Sequence, residues 1–345
     1  MNRTKPAGNT PTVVDVAKHA QVSVATAARI LSNSSYRVSQ ELAERVMAAA
    51  TELGYVPNLA ARNLRTGART SIGVIMGSMI SPYFGEIAEV ITEEASMSGW
   101  VALISNAQRD PSLEIELCRR LWAQRVGGLV LAWGGVDLRT EDTTLPELLK
   151  RMQEAGISIA SLAPRSFEVP TFSVDNEAVG VLIGQELVQA SHRDVGLIFG
   201  TLNSVATDLR VRGLTRILAA AGGQCRVFKA DYSSDEAAAA TEALLRMNPR
   251  LTAFVADGDA VAAGVTRVLR LQDRSVPDDI SLITIGDSHF ARGLSPQLST
   301  VDLQLVDSGR AAVRYLMSGS LTNPGQEGMS FQPRLIDRGS IRRLA

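Results

Sequence analysis

The sequence predicts two fold classes in one chain, a small all-α domain at the N-terminus and a larger α/β domain after it. Residues 12–57 contain short apolar stretches with helical spacing. From Ser71 onward, short apolar runs alternate with amphipathic segments, a pattern typical of parallel sheets covered by helices. This alternation occurs twice with about the same rhythm. We therefore expect the α/β domain to have two lobes, each built on a doubly wound parallel sheet.

The first two predicted helices lie between Thr12 and Leu31 and are joined by a tight turn. Ser23 is a good N-cap for the second helix, because its hydroxyl can accept a hydrogen bond from a backbone N–H of the first turn. The first helix places four small or branched apolar residues on one face: Val13, Val16, Ala17 and Ala20. This is the build of a helix-turn-helix, whose second helix enters the DNA major groove. An ordinary helical hairpin in a globular core remains the alternative on these residues alone.

A third helix is predicted from Gln40 to Leu53, with Ser39 as its N-cap and Gly54 after its end. Asn58 can cap a further short helix from Leu59 to Leu64. A helix of this length is not stable by itself in water, so it needs tertiary or intermolecular contacts.

The α/β region contains four predicted strands and three or four helices in each lobe. The first lobe is predicted to have strands at 71–77, 101–106, 126–134 and 157–164, with helices at 83–98, 111–124 and 145–155. The second is predicted to have strands at 195–199, 224–229, 251–255 and 280–285, with helices at 179–189, 209–221, 235–247 and 260–271.

Charge is distributed unevenly along the chain. The 345 residues carry a net charge of −1, but residues 1–70 hold nine Lys and Arg against four Asp and Glu, a net +5. The remainder therefore carries −6. A basic head on an acidic body is typical of a DNA-binding protein with a separate regulatory domain. A solvated helix face is the alternative explanation for so small an excess.

The remaining composition argues against several classes of protein. Cys118 and Cys225 are too few for a zinc or disulfide framework. Residues 1–11 lack the apolar core of a signal peptide and are expected to be a disordered tail. No apolar run reaches the length of a membrane helix, so we expect a cytoplasmic protein with no membrane partner. The glycines after the first strand do not form a dinucleotide motif, and no catalytic or metal-binding spacing emerges, so no cofactor, metal or enzymatic activity is expected.

The order VVDVAKHAQVSVATAARIL, then VSQELAERVMAAATELGYVPN, then AARNLRTG closely resembles the DNA-binding headpiece of the LacI/GalR (lac repressor) family. The resemblance implies a headpiece at 12–57, a hinge helix and linker at 58–70, and a periplasmic-binding-protein-like core at 71–345. It implies lobe 1 at about 71–170 and 302–325, and lobe 2 at about 171–300 and 326–345. It also implies that STVDLQ, residues 299–304, returns to the first lobe, and that the closing RLIDRGSIRR returns to the second.

In this family, two exposed positions at the start of the recognition helix read bases, and Val24 and Ala25 occupy them here. Arg29 matches an arginine that can contact guanine, although a phosphate contact is the alternative. Leu64 matches the hinge residue that wedges into the minor groove. Two residues depart from the family pattern: Gln21 replaces the usual turn glycine, and Ala28 replaces a serine. The implied DNA-binding set is Val14, Ser23, Val24, Ala25, Thr26, Arg29, Asn58, Ala61 and Leu64.

In doubly wound folds, ligands bind beyond the carboxyl ends of the strands. This places the following segments at the rim of a cleft: 79–84, 105–106, 133–134, 232, 257–259 and 287–289. Arg210, in R-x-x-G, matches the family's ligand arginine, and Tyr232 matches an aromatic that stacks on sugars. Asp259 and Asp287 also match ligand motifs, although Gly258 and Gly286 replace polar neighbours. A surface ion pair, lobe packing and a helix cap are the alternatives for these residues. The implied effector set is Met79, Ser81, Tyr83, Phe84, Trp133, Arg210, Tyr232, Asp259 and Asp287.

The resemblance thus predicts a sequence-specific DNA-binding transcriptional regulator, expected to act as a repressor and to respond to a sugar or sugar acid. The G-D-S-H stretch looks like the gluconate-repressor branch, which hints at a sugar acid. The predicted partners are double-stranded operator DNA, the small-molecule effector and a second copy of the chain; a leucine-heptad tail for tetramer formation is not present. A solute-binding protein is the alternative for residues 71–345, but it leaves residues 12–67 without a use.

Overall fold

The computed structural model describes residues 11–31, 38–56, 69–134, 143–200, 204–230, 232–318 and 328–345. The chain divides into two compact units, Met1–Ala68 and Arg69–Ala345. None of the described helices is long and apolar enough to cross a membrane.

The described part of the N-terminal unit contains three helices, α1 (Val13–His19), α2 (Val24–Leu31) and α3 (Gln40–Glu52). Their packing buries a small cluster of apolar side chains: Val16, Ala17, Ala20, Ala27, Val46, Ala49 and Ala50. The turn between α1 and α2 carries Gln21 at a φ of 53°. Gln21, which replaces the usual turn glycine, thus has a left-handed conformation that costs a residue with a side chain about 1–2 kcal/mol.

The first lobe is built on a four-stranded parallel sheet in the order β2-β1-β3-β4. Its strands are β1 (Ser71–Met76), β2 (Val101–Asn106), β3 (Gly128–Leu131) and β4 (Ser158–Ser161). Its helices between these strands are α4 (Pro82–Met97), α5 (Pro111–Ala123) and α6 (Thr144–Glu154). Strand β5 (Phe172–Val174) follows and leads into the second lobe.

The second lobe contains a larger sheet with helices on both faces. Its strands β6 (Asp194–Phe199), β7 (Gln224–Lys229), β8 (Ala253–Ala256), β9 (Ser281–Ile285) and β10 (Ser299–Asp302) are parallel. One apolar cluster lies under α9 (Ser234–Met247) and α10 (Asp259–Leu271), and a second lies under α7 (Asn176–Gln189) and α8 (Val205–Ala220). A short helix, α11 (His289–Gly293), follows β9. Two doubly wound sheets are therefore confirmed.

The chain crosses between lobes at places that the sequence does not fully reveal. The prediction that residues 299–304 return to the first lobe is wrong for the strand, because β10 pairs with β9 in the second sheet. The return is made by α12 (Leu305–Met317), whose Ala312, Val313 and Leu316 are buried in the first core. Strand β11 (Met329–Phe331) then pairs with β5.

The last strand, β12 (Arg334–Ile336), confirms the predicted return to the second lobe but lies antiparallel to β10 at the sheet edge. Most helices begin one to four residues before their predicted starts, because the N-cap and the first turn carry polar residues or proline. Asp175, for example, accepts a hydrogen bond from the backbone N–H of Ala178 at 2.9 Å, so α7 begins before its first apolar residue.

Candidate functional site

Helix α2 presents a polar start and an exposed face. The Ser23 hydroxyl accepts a hydrogen bond from the backbone N–H of Thr26 at 3.0 Å, which confirms Ser23 as the N-cap. The Thr26 hydroxyl lies 2.7 Å from the Ser23 hydroxyl, so both side chains take part in this cap. Ala27 is fully buried, whereas Val24, Ala25 and Arg29 are exposed. The residues predicted to read bases therefore lie on the outer face of α2.

The other predicted DNA contacts are distributed differently. Val14 lies on α1 and exposes 55% of its surface, a large value for a branched apolar residue. Asn58, Ala61 and Leu64, which carry the hinge prediction, lie outside the described residues.

The second unit contains a cavity of about 250 Å³ between its two lobes. It lies beyond the carboxyl ends of strands of both sheets, where doubly wound folds bind ligands. Eight of the nine predicted effector residues line it: Ser81, Tyr83, Phe84 and Trp133 from lobe 1, and Arg210, Tyr232, Asp259 and Asp287 from lobe 2. Met79 is not part of the lining, and the residue is 55% exposed.

Arg210 is fixed by two neighbours before any ligand arrives. Its Nη1 donates to Asp257 Oδ1 at 2.8 Å, and its Nε donates to Asn176 Oδ1 at 2.8 Å. The side chain of Asp257 is only 6% exposed and that of Arg210 15% exposed. The Tyr232 hydroxyl donates to the other oxygen of Asp257 at 3.3 Å. The arginine is therefore held in one orientation at the cavity wall, and the surface ion pair considered from the sequence is in fact a largely buried one.

Two glycines explain why α8 can place Arg210 at this position. A Cβ atom at Gly180 on α7 would lie 2.0 Å from the carbonyl oxygen of Arg210. A Cβ atom at Gly213 on α8 would lie 2.3 Å from the carbonyl oxygen of Glu177. Only glycine allows the two helix backbones to approach this closely. The glycine of the R-x-x-G pattern thus serves helix packing, and the arginine one turn earlier gains its place from that packing.

The two predicted aspartates have different environments. Asp287 accepts a hydrogen bond from Arg338 Nη2 at 2.6 Å and one from Arg292 Nε at 3.2 Å, so its carboxylate is already engaged with the C-terminal segment and α11. Asp259 has a buried oxygen, Oδ1, without a hydrogen-bond partner among the described residues. Burial raises the pKa of the Asp259 carboxyl above its ordinary value. Of the two, Asp259 has the greater capacity left for a ligand.

Trp133 brings a second unsatisfied polar atom to the cavity wall. Its side chain lies in the first core, and the residue is 5% exposed. Its Nε1 has no hydrogen-bond partner within the described part of the chain. Arg165 lies 5.9 Å from the Trp133 ring and forms a buried ion pair with Glu114 at 2.6 Å. Trp133 is thus packed in the first core and also lines the cavity.

Several lining residues were not predicted as ligands. They include Glu86, Arg109, Ser204 and Thr207, and Asp257 was placed at the rim without an assigned role. Arg109 lies three residues after the end of β2, so the rule that ligands bind beyond the carboxyl ends of strands would have found it if extended through the turn after the strand. Burial raises the pKa of the Glu86 carboxyl. Asn176, which accepts a hydrogen bond from Arg210, could not be predicted as a site residue, because the two residues are distant in the sequence.

Comparison with known proteins agrees with this architecture. Residues 12–58 match the family described as bacterial regulatory proteins, lacI family, and residues 185–341 match a periplasmic binding protein-like domain. Catabolite control protein A of Priestia megaterium is 28% identical over 309 residues, covering 88% of this chain and 91% of that protein. The ribose operon repressor of Halalkalibacterium halodurans is also 28% identical, covering 89% of each chain.

Solved structures give the same result for the fold. The lac repressor dimer bound to operator and the anti-inducer ONPF is 25% identical, with a TM-score of 0.84 over 97% of this chain and 100% of that one. The complex of the transcriptional regulator CelR with cellobiose is 27% identical, with a TM-score of 0.69 over 96% of this chain and 99% of that one. The chain therefore combines a helix-turn-helix unit of the lacI family with a two-lobed periplasmic binding protein-like core, and along most of its length it is similar to LacI-family transcriptional regulators.

Proposed function

We propose that this protein is a homodimeric transcriptional repressor whose affinity for operator DNA is controlled by a small sugar or sugar acid bound between the lobes of its core. The single observation that supports this most strongly is the combination of an exposed recognition helix with a cleft that holds Arg210, Asp257 and Asn176 in a fixed network. Because operator DNA lies in the cytoplasm, we propose that compartment as its location.

For the DNA contact, we propose that α2 enters the major groove. Val24 and Ala25 then offer apolar contacts to thymine methyl groups, and Arg29 offers paired donors to guanine. Ser23 and Thr26 organise the start of the helix and can contact phosphate, while Val14 extends the surface from α1. We propose residues 58–70 as the hinge and linker, with Asn58 capping a short helix and Ala61 and Leu64 contacting the minor groove.

For the effector, the cleft offers planar donors from Arg210, an aromatic ring from Tyr232 and a carboxyl oxygen from Asp259. Such groups suit a ligand with several hydroxyls, since each hydroxyl can both donate and accept a hydrogen bond. The similarity to a cellobiose complex and to a ribose operon repressor supports a sugar. A sugar acid is the finer possibility, in which Arg210 would face the carboxylate.

The test combines a ligand screen with DNA binding by the full chain. Thermal unfolding is measured with D-ribose, cellobiose and D-gluconate, and the preferred duplex is selected from a pool of random sequence. We expect one ligand class to raise the melting temperature and to change the affinity for the selected duplex. A solute-binding protein would show the thermal shift without selecting any duplex. A chain that neither selects a duplex nor binds any of the three ligands would contradict the proposal.

A further inference from the structure

The turn after β2 has an unusual backbone that positions one lobe-1 side chain at the cleft. Gln108 and Arg109 both have left-handed φ values, 52° and 57°, which residues with side chains rarely adopt. The turn is held by hydrogen bonds at its two ends. The Gln108 N–H donates to Asn106 Oδ1 at 3.1 Å, and the Asp110 N–H donates to the Ala107 carbonyl at 2.8 Å. Such backbone conformations persist where the surroundings determine them, and they concentrate at functional sites.

The end of the turn is fixed as strongly as its start. Asp110 is the N-cap of α5 and accepts a hydrogen bond from the Ser112 N–H at 2.8 Å. Arg109 therefore lies between an anchored turn and an anchored helix. Its side chain reaches out of lobe 1 and lines the cavity.

Arg109 contacts an aromatic ring of the opposite lobe. The central carbon of its guanidinium lies 4.3 Å from the ring centroid of Tyr232, which is the geometry of a cation–π contact. Planar guanidinium groups prefer such stacking because they are weakly hydrated. This contact joins the two lobes directly at the cavity.

Tyr232 itself is not free to move away from Arg109. Its hydroxyl donates to Asp257 at 3.3 Å, and Asp257 is paired with Arg210. Its ring packs on the backbone of Gly200, where an added Cβ atom would lie 2.1 Å from Cε2 of the ring. Arg109 therefore covers the face of a ring whose position is set by Gly200 and Asp257.

We propose that Arg109 is a latch between the lobes, which holds the cleft in the arrangement of this structure by covering the face of Tyr232. Regarding the effector, the inference rests on the proposed function: a sugar that stacks on Tyr232 has to displace the guanidinium. The latch thereby connects occupancy of the cleft to the relation between the lobes. A ligand shifts such an equilibrium only through a difference in affinity for the two states, and competition for Tyr232 supplies that difference.

The first experiment tests the latch without any ligand. The full chain is labelled with 5-fluorotryptophan, which gives one ¹⁹F resonance for each of its three tryptophans, Trp100, Trp122 and Trp133. A soluble nitroxide then reports solvent access through its relaxation of each resonance. Trp133 lines the cleft, and its neighbour Gly134 lies close to Ser204 of the opposite lobe, so opening of the lobes exposes Trp133.

The variant Arg109→Asn removes the guanidinium, and asparagine tolerates the left-handed backbone. We expect it to increase relaxation of the Trp133 resonance about threefold or more, the population change that loss of one cation–π contact can produce. The Trp100 and Trp122 resonances should stay unchanged, and Arg109→Lys should give a smaller increase. The matched control, Gln108→Asn, alters the same turn and should behave as the parent.

A Trp133 resonance as protected in Arg109→Asn as in the parent would overturn the latch. Tyr232→Leu gives a second, independent measurement, because it removes the other half of the contact and should expose Trp133 in the same way. If Arg109→Asn unfolds, so that all three resonances change together, Tyr232→Leu decides, and continued protection of Trp133 in that variant overturns the proposal.

The second experiment tests competition by calorimetric titration with cellobiose and with D-ribose. For a sugar that binds the parent, Arg109→Asn should bind about threefold to tenfold more tightly, because the guanidinium no longer competes for Tyr232. Weaker binding would make Arg109 a direct ligand of the effector and overturn the competition. If neither sugar binds parent or variant, cellobiose and D-ribose are excluded as effectors, whereas the relaxation measurement still decides the latch.

Discussion

At the scale of single residues, the pairing of Arg210 with Asp257 has a consequence for mutagenesis. The sequence places Arg210 at the ligand site through a motif, from which one expects a change in effector response alone. In the structure the same side chain neutralises a carboxylate that is 6% exposed. Removing one partner of a buried ion pair leaves the other charged and unpaired.

We therefore expect Arg210→Met to lower the free energy of unfolding by about 3–5 kcal/mol as well as to abolish effector response. The double variant Arg210→Met/Asp257→Asn should recover part of that stability without restoring the response. Urea denaturation of the full chain measures the first effect, and effector titration measures the second.

Arg212 offers a matched control on the same helix. Its ion pair with Glu177 is exposed, with side-chain exposures of 63% and 31%. Exposed pairs contribute about 0–1 kcal/mol, so Arg212→Met should change stability little. Equal losses in the two variants would show that the Arg210 pair is energetically no different from a surface pair.

His192 provides a pH-dependent contribution far from the cleft. The residue is fully buried, with Nδ1 2.8 Å from the Thr252 hydroxyl and Nε2 3.1 Å from the Arg342 carbonyl. A neutral ring satisfies both contacts if Nε2 donates to the carbonyl and Nδ1 accepts from the hydroxyl. Burial lowers the pKa of His192 below its ordinary value.

Because the folded state takes up the proton less readily, the unfolded state binds more protons once the pH falls below about 6.5, the ordinary pKa of histidine. Stability should therefore fall as the pH is lowered from that value towards the depressed pKa of the folded state. His192→Gln, which keeps a donor for the carbonyl, should flatten this part of the curve. Urea denaturation between about pH 8 and pH 5 measures it. An unchanged slope in the variant, with His289→Gln as the exposed control, would refute the assignment.

At the scale of elements, the close crossing of α7 and α8 links helix packing to the ligand site. Gly213 approaches the backbone of α7, and Arg210 lies one turn earlier on α8. Gly213→Ala has to push the helices apart, because the atom that it would meet is a backbone carbonyl and not a flexible side chain. We expect a loss of stability of about 1–3 kcal/mol, together with weaker effector binding as Arg210 moves.

Gly85→Ala is the control for this prediction. Gly85 lies in α4, and a Cβ atom there would meet nothing within 4 Å. Alanine in an open helix position is favoured over glycine by about 0.5–1 kcal/mol, so this variant should be neutral or more stable. Thermal unfolding and effector titration of both variants make the comparison. If Gly213→Ala bound the effector as tightly as the parent, the close approach of α7 and α8 would not be what positions Arg210 for binding.

At the scale of the whole molecule, the repeated alternation of strands and helices was enough to predict two parallel sheets. Strands and helices each have a characteristic spacing of apolar residues, which can be recognised locally in the sequence. The crossings between lobes were not predictable in the same way. Strand β10 and helix α12 are adjacent in sequence, yet one belongs to the second sheet and the other to the first core. That assignment depends on contacts between distant segments, which a local pattern does not contain.

The candidate site shows the same division. Residues that follow a strand, such as Trp133, could be placed at the cleft from the sequence because the end of a parallel strand has a known position. The pairs that give the cleft its electrostatics join residues far apart in the chain, as in Arg210 with Asp257 and Arg109 with Tyr232. Neither partner of such a pair signals the other in the sequence.

The uneven charge of the chain predicts how its DNA binding responds to salt. The net charge of −1 conceals a head of +5 and a body of −6. Contacts between Lys or Arg and phosphate release counterions, so affinity should fall on the order of 10³-fold between about 50 and 200 mM salt. Titration of the full chain with its selected duplex measures this slope. A flat response would contradict a phosphate-dominated interface.

A variant of Arg29, which is exposed on α2, can distinguish base reading from phosphate contact within that interface. If it reads guanine, Arg29→Ala should weaken the preferred duplex by about 1–3 kcal/mol and relax the choice at one base pair, with little change in salt slope. If it contacts phosphate, all duplexes should weaken alike, and the slope should fall by about one. Arg226→Ala, which removes the same charge from the exposed edge strand β7, should change neither quantity. We expect the first pattern, because Arg29 is exposed on α2 like Val24 and Ala25, the residues predicted to read bases, whereas Ala27 faces the core.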